Sequence, residues 1–270
     1  MKFKNSIKSI AIGSFDGIHL AHQKLINEVE AVVIIERNGG YLTAGYKRSW
    51  YIKKPCFFYH FEKIQRLDAK AFVEKLEKDF PLLESIVVGY DFGFAYQKEG
   101  NVKRLKELFQ GEVKVIDEVK LKDTSIHSRT IKVLLREGKI EEVNALLGRT
   151  FSIDGQVISG QGLGKKELVP TLNLNVYDYE LPKEGVYATR TKIDEVWIPS
   201  ITFLGHRITT DGNYAVESYI LDRDIGIYQG IVFIEFIKFI RDNQKFNGLE
   251  DLKKQIRIDI EKAKSILIKK

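Results

Sequence analysis

Apolar residues in the first 120 positions follow two alternating rhythms. Short runs that are apolar at nearly every position, SIAIG (9–13), AVVIIE (31–36), SIVVGYDF (85–92) and VKVIDEV (113–119), have the character of buried strands. Between them, in HQKLINEVE (22–30), DAKAFVEKLEKDF (68–80) and NVKRLKELFQ (101–110), apolar side chains return every three or four residues, which is the spacing of one helix face. Strand and helix in alternation predict βαβ units and a parallel sheet. After Thr150 the texture changes to short alternating runs broken by glycine: FSIDGQVISG, TLNLNV, GVYATRT, WIPSITFLG, YAVESYILD and GIVFIEFIKFI. That pattern predicts an antiparallel barrel or sandwich. One long charged helix, GLEDLKKQIRIDIEKAKSILI, follows it, and SRTIKVLLREGKIEEVNALLG, with stops at Gly138 and Gly148, bridges the halves. The expected division is therefore 1–140 and 141–270.

The 270 residues suffice for two domains, and 44% hydrophobic with 30% charged residues is the balance of a soluble globular chain. The amino-terminal apolar run is short and interrupted by Lys8 and Gly13, so neither a signal peptide nor a membrane span is expected, and a cytoplasmic location is. Cys56 is the single cysteine, which excludes an internal disulfide and a cysteine-based metal cluster. The net charge of +6 comes from lysines scattered among acidic residues; this argues against a nucleic-acid surface and suits a phosphorylated small substrate. Monomer and weak oligomer both remain open.

Two stretches carry candidate chemistry. GSFDGIHLAH (13–22) joins the first predicted strand to the first predicted helix, where parallel sheets collect ligands. Gly13 and Gly17 admit a close backbone approach, the free N–H groups of the helix start favour an anion, and His19 and His22 share a helix face. The same residues also read as a structural turn. In the second half, Gly160, Gly162 and Gly164 precede Lys165 and then Pro170-Thr171-Leu172-Asn173. That combines a loop able to cover phosphates with a hydroxyl and an amide on one strand face, both hard oxygen donors suited to Mg²⁺. A plain glycine-rich hairpin accounts for it too.

GSFDGIHLAHQKLI resembles the G-x-F-D-G-x-H-x-G-H-x-x-L opening of the bacterial bifunctional riboflavin kinase/FAD synthetase family, whose first domain is a Rossmann-like HxGH nucleotidyltransferase. VVGYDFGFAYQKEGNVKRL and SIHSRTIKVLLREGKIEEVNALLGRTF resemble later segments of that domain. GQGLGKKELVPTLN, PKEGVYA, YAVESYILDRDIGIYQG and RDNQKFNGLEDLKKQIRIDIEKA resemble the family's kinase domain, an antiparallel β-barrel with a closing helix.

The resemblance implies that riboflavin is phosphorylated to FMN in the second half and that FMN is adenylylated to FAD in the first, with ATP as co-substrate of both, Mg²⁺ as the ion and ADP among the products. By motif position, Gly13, Phe15, Asp16, Gly17, His19, His22, Ser128, Arg129 and Lys132 bind ATP in the first half, with His19 and His22 steadying the transition state, while Asp91 and Phe92 lie on the flavin side. In the second half Gly160, Gly162, Gly164 and Lys165 carry ATP, Thr171 and Asn173 hold the metal, Glu217 is the base, and Arg207 and Arg241 meet the flavin. From the residues alone, Glu217 reads as an outward-facing strand position and Arg241 as helix packing.

Departures from the family pattern are Ala21 between the histidines, Ala95 after DFGF, His127-Ser128-Arg129 for Ser-Ser-Thr, Lys132 for arginine, and Phe203 and Ile208 around Gly205 and Arg207. The middle segment is short, and its Lys47, Arg48, Lys53 and Lys54 among Tyr46, Trp50 and Tyr51 are candidates for a phosphate-and-ring site. Two rival readings use the same residues: a kinase with a weakened transferase half, and a flavin- or nucleotide-binding regulator without turnover.

Overall fold

The computed structural model describes residues 6–37, 39–158, 169–209, 212–223 and 225–267. The chain forms two compact units, Met1–Thr130 and Ile131–Lys270. None of the described helices is long and apolar enough to cross a membrane.

In the first unit, β1 (Ser9–Gly13), β2 (Ala31–Glu36), β3 (Cys56–His60) and β4 (Ser85–Gly89) enter one parallel sheet. β5 (Gly93–Phe94) and β6 (Gly100–Asn101) form a small antiparallel ladder, β7 (Glu112–Ile116) returns to the main sheet, and β8 (Lys120–Leu121) pairs with β9 (Thr124–Ser125). The sheet order is β3-β2-β1-β4-β7, so the winding direction reverses between β1 and β4. The crevice at the carboxyl ends of those two strands is where such a sheet binds ligands.

Connecting these strands are α1 (Leu20–Asn27), α2 (Phe61–Ile64), α3 (Ala69–Asp79) and α4 (Val102–Leu108). Because side chains alternate across a strand, Ile10 and Ile12 of β1 enter one core with Phe72, Val73 and Leu76 of α3 and Leu105 of α4. Ala11, between them, enters another with Leu25 and Ile26 of α1. Both sheet faces are covered, which is why the strands read as continuous apolar runs.

His19 caps α1: its Nδ1 accepts from the His22 backbone N–H at 3.2 Å. The side chain is 3% exposed. Burial, reinforced by the field of His127, depresses its pKa to about 3.

The second unit begins within α5 (Ser128–Arg136), continues through α6 (Ile140–Leu147), and then closes a six-stranded antiparallel barrel. Its strands are β10 (Phe151–Ile158), β11 (Leu172–Asn175), β12 (Gly185–Ile193), β13 (Val196–His206), β14 (Tyr214–Ile220) and β15 (Ile231–Asp242), in the order β10-β11-β14-β13-β12-β15. Asn144 of α6 pins the barrel at two points, accepting from the Phe151 N–H and donating to the Phe236 carbonyl. The interior is partly hydroxylic. Thr189, Thr191, Ser200, Thr202 and Ser218 are fully buried and satisfy one another through 2.8 Å hydrogen bonds around Thr189 and Thr191. Left unpaired, each would cost about 1–3 kcal/mol.

On the outer face lies α7 (Leu249–Leu267), which buries Ala263 and Leu267 against Val186, Ala188, Ile201 and Ile240. Asp259, one helical turn before Ala263, is buried as well. It receives Arg241 Nε and Nη2 from β15 at 2.8–3.1 Å and Gln255 Nε2 at 2.9 Å. A buried carboxylate with three donors stabilises only while its cation is present.

Asp259→Asn leaves the half-buried Arg241 beside a neutral group and is expected to destabilise the second unit by about 3 kcal/mol, with Arg241→Met/Asp259→Leu recovering most of the loss in thermal melting. His19 supplies a pH test. Its folded pKa lies below the unfolded value near 6.5, so the unfolded chain binds the proton first, and stability is lost as pH falls from about 6.5 towards 3, by up to roughly 4 kcal/mol. His19→Asn keeps a capping oxygen and should reduce that decline, the buried His22 accounting for what remains, read from Trp50 fluorescence during denaturant unfolding in a Trp197→Phe background.

Candidate functional sites

The β1–α1 loop has an unusual backbone. Phe15, Gly17 and Ile18 have φ of 49°, 87° and 44°. Two of these are bulky L-residues in the left-handed region, at a cost of about 1–3 kcal/mol each that the surroundings must offset. They do so by burial, since Phe15 and Ile18 sit in the α1-side core. The turn is also tied from outside. Asp16 Oδ1 accepts from the Leu42 and Thr43 N–H groups at 2.8 and 3.1 Å, Ser128 Oγ donates to the Asp16 carbonyl at 2.8 Å, and Arg48 Nη1 donates to the Ser14 carbonyl at 2.7 Å.

The held turn aligns two imidazoles. His19 and His22 stack with centroids 3.5 Å apart and planes 17° apart, and Phe15 meets His22 edge-on at 5.1 Å. With Nδ1 of His19 accepting from the backbone, Nε2 of the neutral ring carries its proton and donates. His22 Nδ1 is buried without a hydrogen-bond partner among the described residues. Burial, then the fields of His19, His127 and Arg48, push the His22 pKa well below the usual histidine value. The pair therefore offers neutral hydrogen-bond donors beside the start of a helix.

The other residues expected in this half divide. Gly13 ends β1, and Ser128 braces the loop. Phe15 contributes its ring to the core, and Asp16 commits its carboxylate to the 42–43 backbone. Arg129 is exposed on α5; Lys132, further along that helix, falls in the second unit. Phe92 stacks on Phe94 at 5.5 Å and packs against the core, while Asp91 projects from the end of β4 with its side chain 62% exposed.

The middle segment contains a brace. Arg48 is fully buried, paired with Glu36 at 2.9 Å and bonded to the Gly45 and Ser14 carbonyls; Lys54 caps the end of α1 through the Asn27 and Val29 carbonyls. Tyr46, Trp50 and Tyr51 remain exposed. Sequence reading gave no signal for the loop-holding role of Arg48, whose Ser14 partner is 34 residues away.

In the barrel, β11 and β14 are paired with Asn173 opposite Glu217. Across β13, Glu217 faces Phe203 on the outer surface of the barrel. Arg207 joins the two polar residues: its Nε donates to Glu217 Oε1 at 2.7 Å and its Nη2 to Asn173 Oδ1 at 2.9 Å. Its backbone closes a turn, donating to the Asn213 carbonyl and accepting from Gly212. Gly205, just before it, has φ 138°, and a Cβ there would fall 2.7 Å from Glu184 Oε2, so only glycine admits the Glu184–His206 pair at 2.8 Å.

Thr171 lies half-buried just ahead of β11, its carbonyl accepting from the Asn173 amide at 3.5 Å. Arg241 is paired with Asp259 and has its guanidinium 5.6 Å from the Phe246 ring, the helix-packing arrangement. Gly160, Gly162, Gly164 and Lys165 lie outside the described residues.

Comparison with known proteins places both halves. The riboflavin kinase family matches residues 147–267, and the FAD synthetase family matches residues 52–130. A bifunctional riboflavin kinase/FMN adenylyltransferase of Buchnera aphidicola is 31% identical, with the match covering 95% of this chain and 92% of the relative. The Listeria monocytogenes protein of the same description is 29% identical over 97% and 93% of the two chains. A crystal structure from Streptococcus pneumoniae, described as a macrolide-efflux protein, superposes with a TM-score of 0.84 at 25% identity, covering 95% of this chain and 94% of that one. The chain belongs to the bifunctional riboflavin kinase/FMN adenylyltransferase family.

Proposed function

We infer that this chain makes both flavin cofactors, phosphorylating riboflavin to FMN within residues 141–270 and adenylylating FMN to FAD within residues 1–140. One observation carries the reading: two differently built polar sites stand in separate units, stacked neutral imidazoles in the first and an arginine-bridged Asn–Glu pair in the second.

In the first unit, a phosphate oxygen of FMN attacks the α-phosphorus of ATP in line. The P–O bond to pyrophosphate breaks, and pyrophosphate leaves with the bonding pair. The enzyme's part is positioning and compensation of charge. The left-handed turn carrying Gly13 and Gly17 approaches the triphosphate, and His19 and His22 donate hydrogen bonds as charge spreads over the reacting phosphorus. Ser128 keeps the loop in place, Arg129 adds charge for ATP, and Asp91 borders the flavin.

In the second unit, the terminal hydroxyl of the riboflavin side chain attacks the γ-phosphorus of ATP, ADP leaves, and Glu217 accepts the hydroxyl proton. Arg207 holds Glu217 by Oε1, which leaves Oε2 for the substrate. Asn173 and Thr171 offer the amide, hydroxyl and carbonyl oxygens that Mg²⁺ prefers and would hold it, there to neutralise charge on the nucleotide phosphates. Gly160, Gly162, Gly164 and Lys165 complete the proposed nucleotide loop. A cytoplasmic location, where ATP is abundant, accompanies the reading.

Purified protein incubated with riboflavin, ATP and Mg²⁺ should give FMN and then FAD by chromatography; FMN alone rejects the transferase half, and no product favours a binding protein. His22→Ala should lower FAD formation by at least 10²-fold while riboflavin phosphorylation persists, since one transition-state donor is commonly worth about 10²–10³. Equal loss of both products contradicts separate sites. Glu217→Gln should reduce FMN formation by about 10²–10⁴ and leave adenylylation of supplied FMN intact. Loss of both half-reactions in that variant contradicts the assignment of the base.

A further inference from the structure

The proton acceptor proposed for the second unit is oriented by another side chain, and that side chain stands on a turn with its own anchor. Arg207 donates Nε to Glu217 Oε1 at 2.7 Å and Nη2 to Asn173 Oδ1 at 2.9 Å, so the aim of both groups follows from where the Arg207 backbone lies. Arg207 comes just after β13, beyond the ladder position that pairs His206 with Tyr214. The segment that follows β15 reaches across to this turn. Asn243 Nδ2 donates to the His206 carbonyl at 2.8 Å, and the Phe246 N–H donates to Thr209 Oγ1 at 3.2 Å, so the two bonds fall on either side of Arg207.

We propose that Asn243 is a positioning residue for the kinase reaction: its amide fixes the peptide that carries Arg207 and thereby aims Glu217 at the substrate hydroxyl. The inference rests on the kinase reading of the second unit and adds a residue to it.

The geometry of one peptide makes the case. The planar unit joining His206 to Arg207 is bonded at both polar atoms, its carbonyl by Asn243 and its N–H by the Asn213 carbonyl at 2.9 Å. Bonds on opposite edges of a plane oppose its rotation, and with the plane held the Arg207 side chain leaves in a fixed direction. Glu184 orients the amide from the other side. Its Oε2 accepts from Asn243 Nδ2 at 3.4 Å and from the His206 N–H at 3.3 Å, while its Oε1 lies 2.8 Å from His206 Nδ1. An amide nitrogen carries two N–H groups, so Asn243 can serve the carbonyl and the carboxylate together. The reaching segment also has a fixed root, because Arg241, two residues before Asn243, is paired with Asp259 of α7.

Exposure separates this role from a purely structural one. His206 is exposed and Asn243 half-buried, so water can satisfy the His206 carbonyl once the amide is gone. A water does not hold the plane. Loss of Asn243 should therefore appear in the rate and not in the melting midpoint, since displacing a reacting group by about 1 Å can cost about 10² in rate.

Asn243→Ala should lower kcat for FMN formation by about tenfold to hundredfold, with KM for riboflavin within about twofold of the parent and adenylylation of supplied FMN unchanged. Asn243→Asp, which keeps the shape and turns an acceptor towards the carbonyl, should lose at least as much. In an Arg207→Met background, Asn243→Ala should cost no more than about a further twofold, because it acts through Arg207. Trp197 fluorescence melting in a Trp50→Phe background should show the second unit of each variant folded with the midpoint of the parent. A kcat equal to that of the parent, or losses that multiply in the double variant, overturns the inference. So does a crystal structure of Asn243→Ala in which Arg207 keeps its bonds to Glu217 and Asn173. Glu217→Gln in the same assay separates the two claims: if it retains FMN formation, the reading of the unit fails, whereas if it loses activity and Asn243→Ala does not, only the role of Asn243 fails.

Discussion

The turn from Phe15 to Ile18 is the constraint on which the first unit depends. A phenylalanine and a β-branched isoleucine are held at positive φ, a conformation that neither adopts cheaply. Both side chains point into the core, so the strain is offset by apolar burial, while Asp16, Arg48 and Ser128 fix the intervening backbone. What emerges from that cost is a rigid start for α1, with His19 as its cap and His22 stacked beneath it. The stacked pair is therefore a consequence of core packing. A looser turn would leave the same two histidines on a frayed helix end, where their rings would be solvated and free to protonate.

The polar cluster of the barrel obeys a different logic. Its polar residues come from neighbouring barrel strands, and their separation is fixed by β-register, with Asn173 opposite Glu217. The closed barrel has no free edge along which that register could slip. The hydroxyl cluster on the inner face adds directional bonds between β12, β13 and β14, so the strands bearing Glu217 and Arg207 are held by more than apolar contact. Arg207 then uses a guanidinium fork to orient carboxylate and amide together, a geometry a lysine could not reproduce.

Local pattern made much of this legible in advance. The two rhythms of apolar spacing indicate a parallel sheet followed by an antiparallel β domain, and the structure has both. What stayed hidden depends on partners distant in sequence. Arg48 reads as a phosphate cation until its carbonyl partner 34 residues away is seen. The sequence gives no sign that Asp16 Oδ1 accepts from the 42–43 backbone. Arg241 reads equally as a flavin contact or a packing residue, and its buried partner Asp259, 18 residues on, is visible only in the fold. Charged side chains carry the same letter whether they face a ligand or close a buried pair, so their roles are fixed by tertiary structure.

The same reasoning explains why His127 escapes a motif-based reading although it sits within one. Measured against the family pattern it is a lost hydroxyl, and a loss suggests a weaker site. In the folded unit it is a third imidazole between the ends of β1 and β4, the two strands at which the sheet reverses its winding. A hydroxyl can donate one hydrogen bond there; an imidazole can donate and can also carry charge.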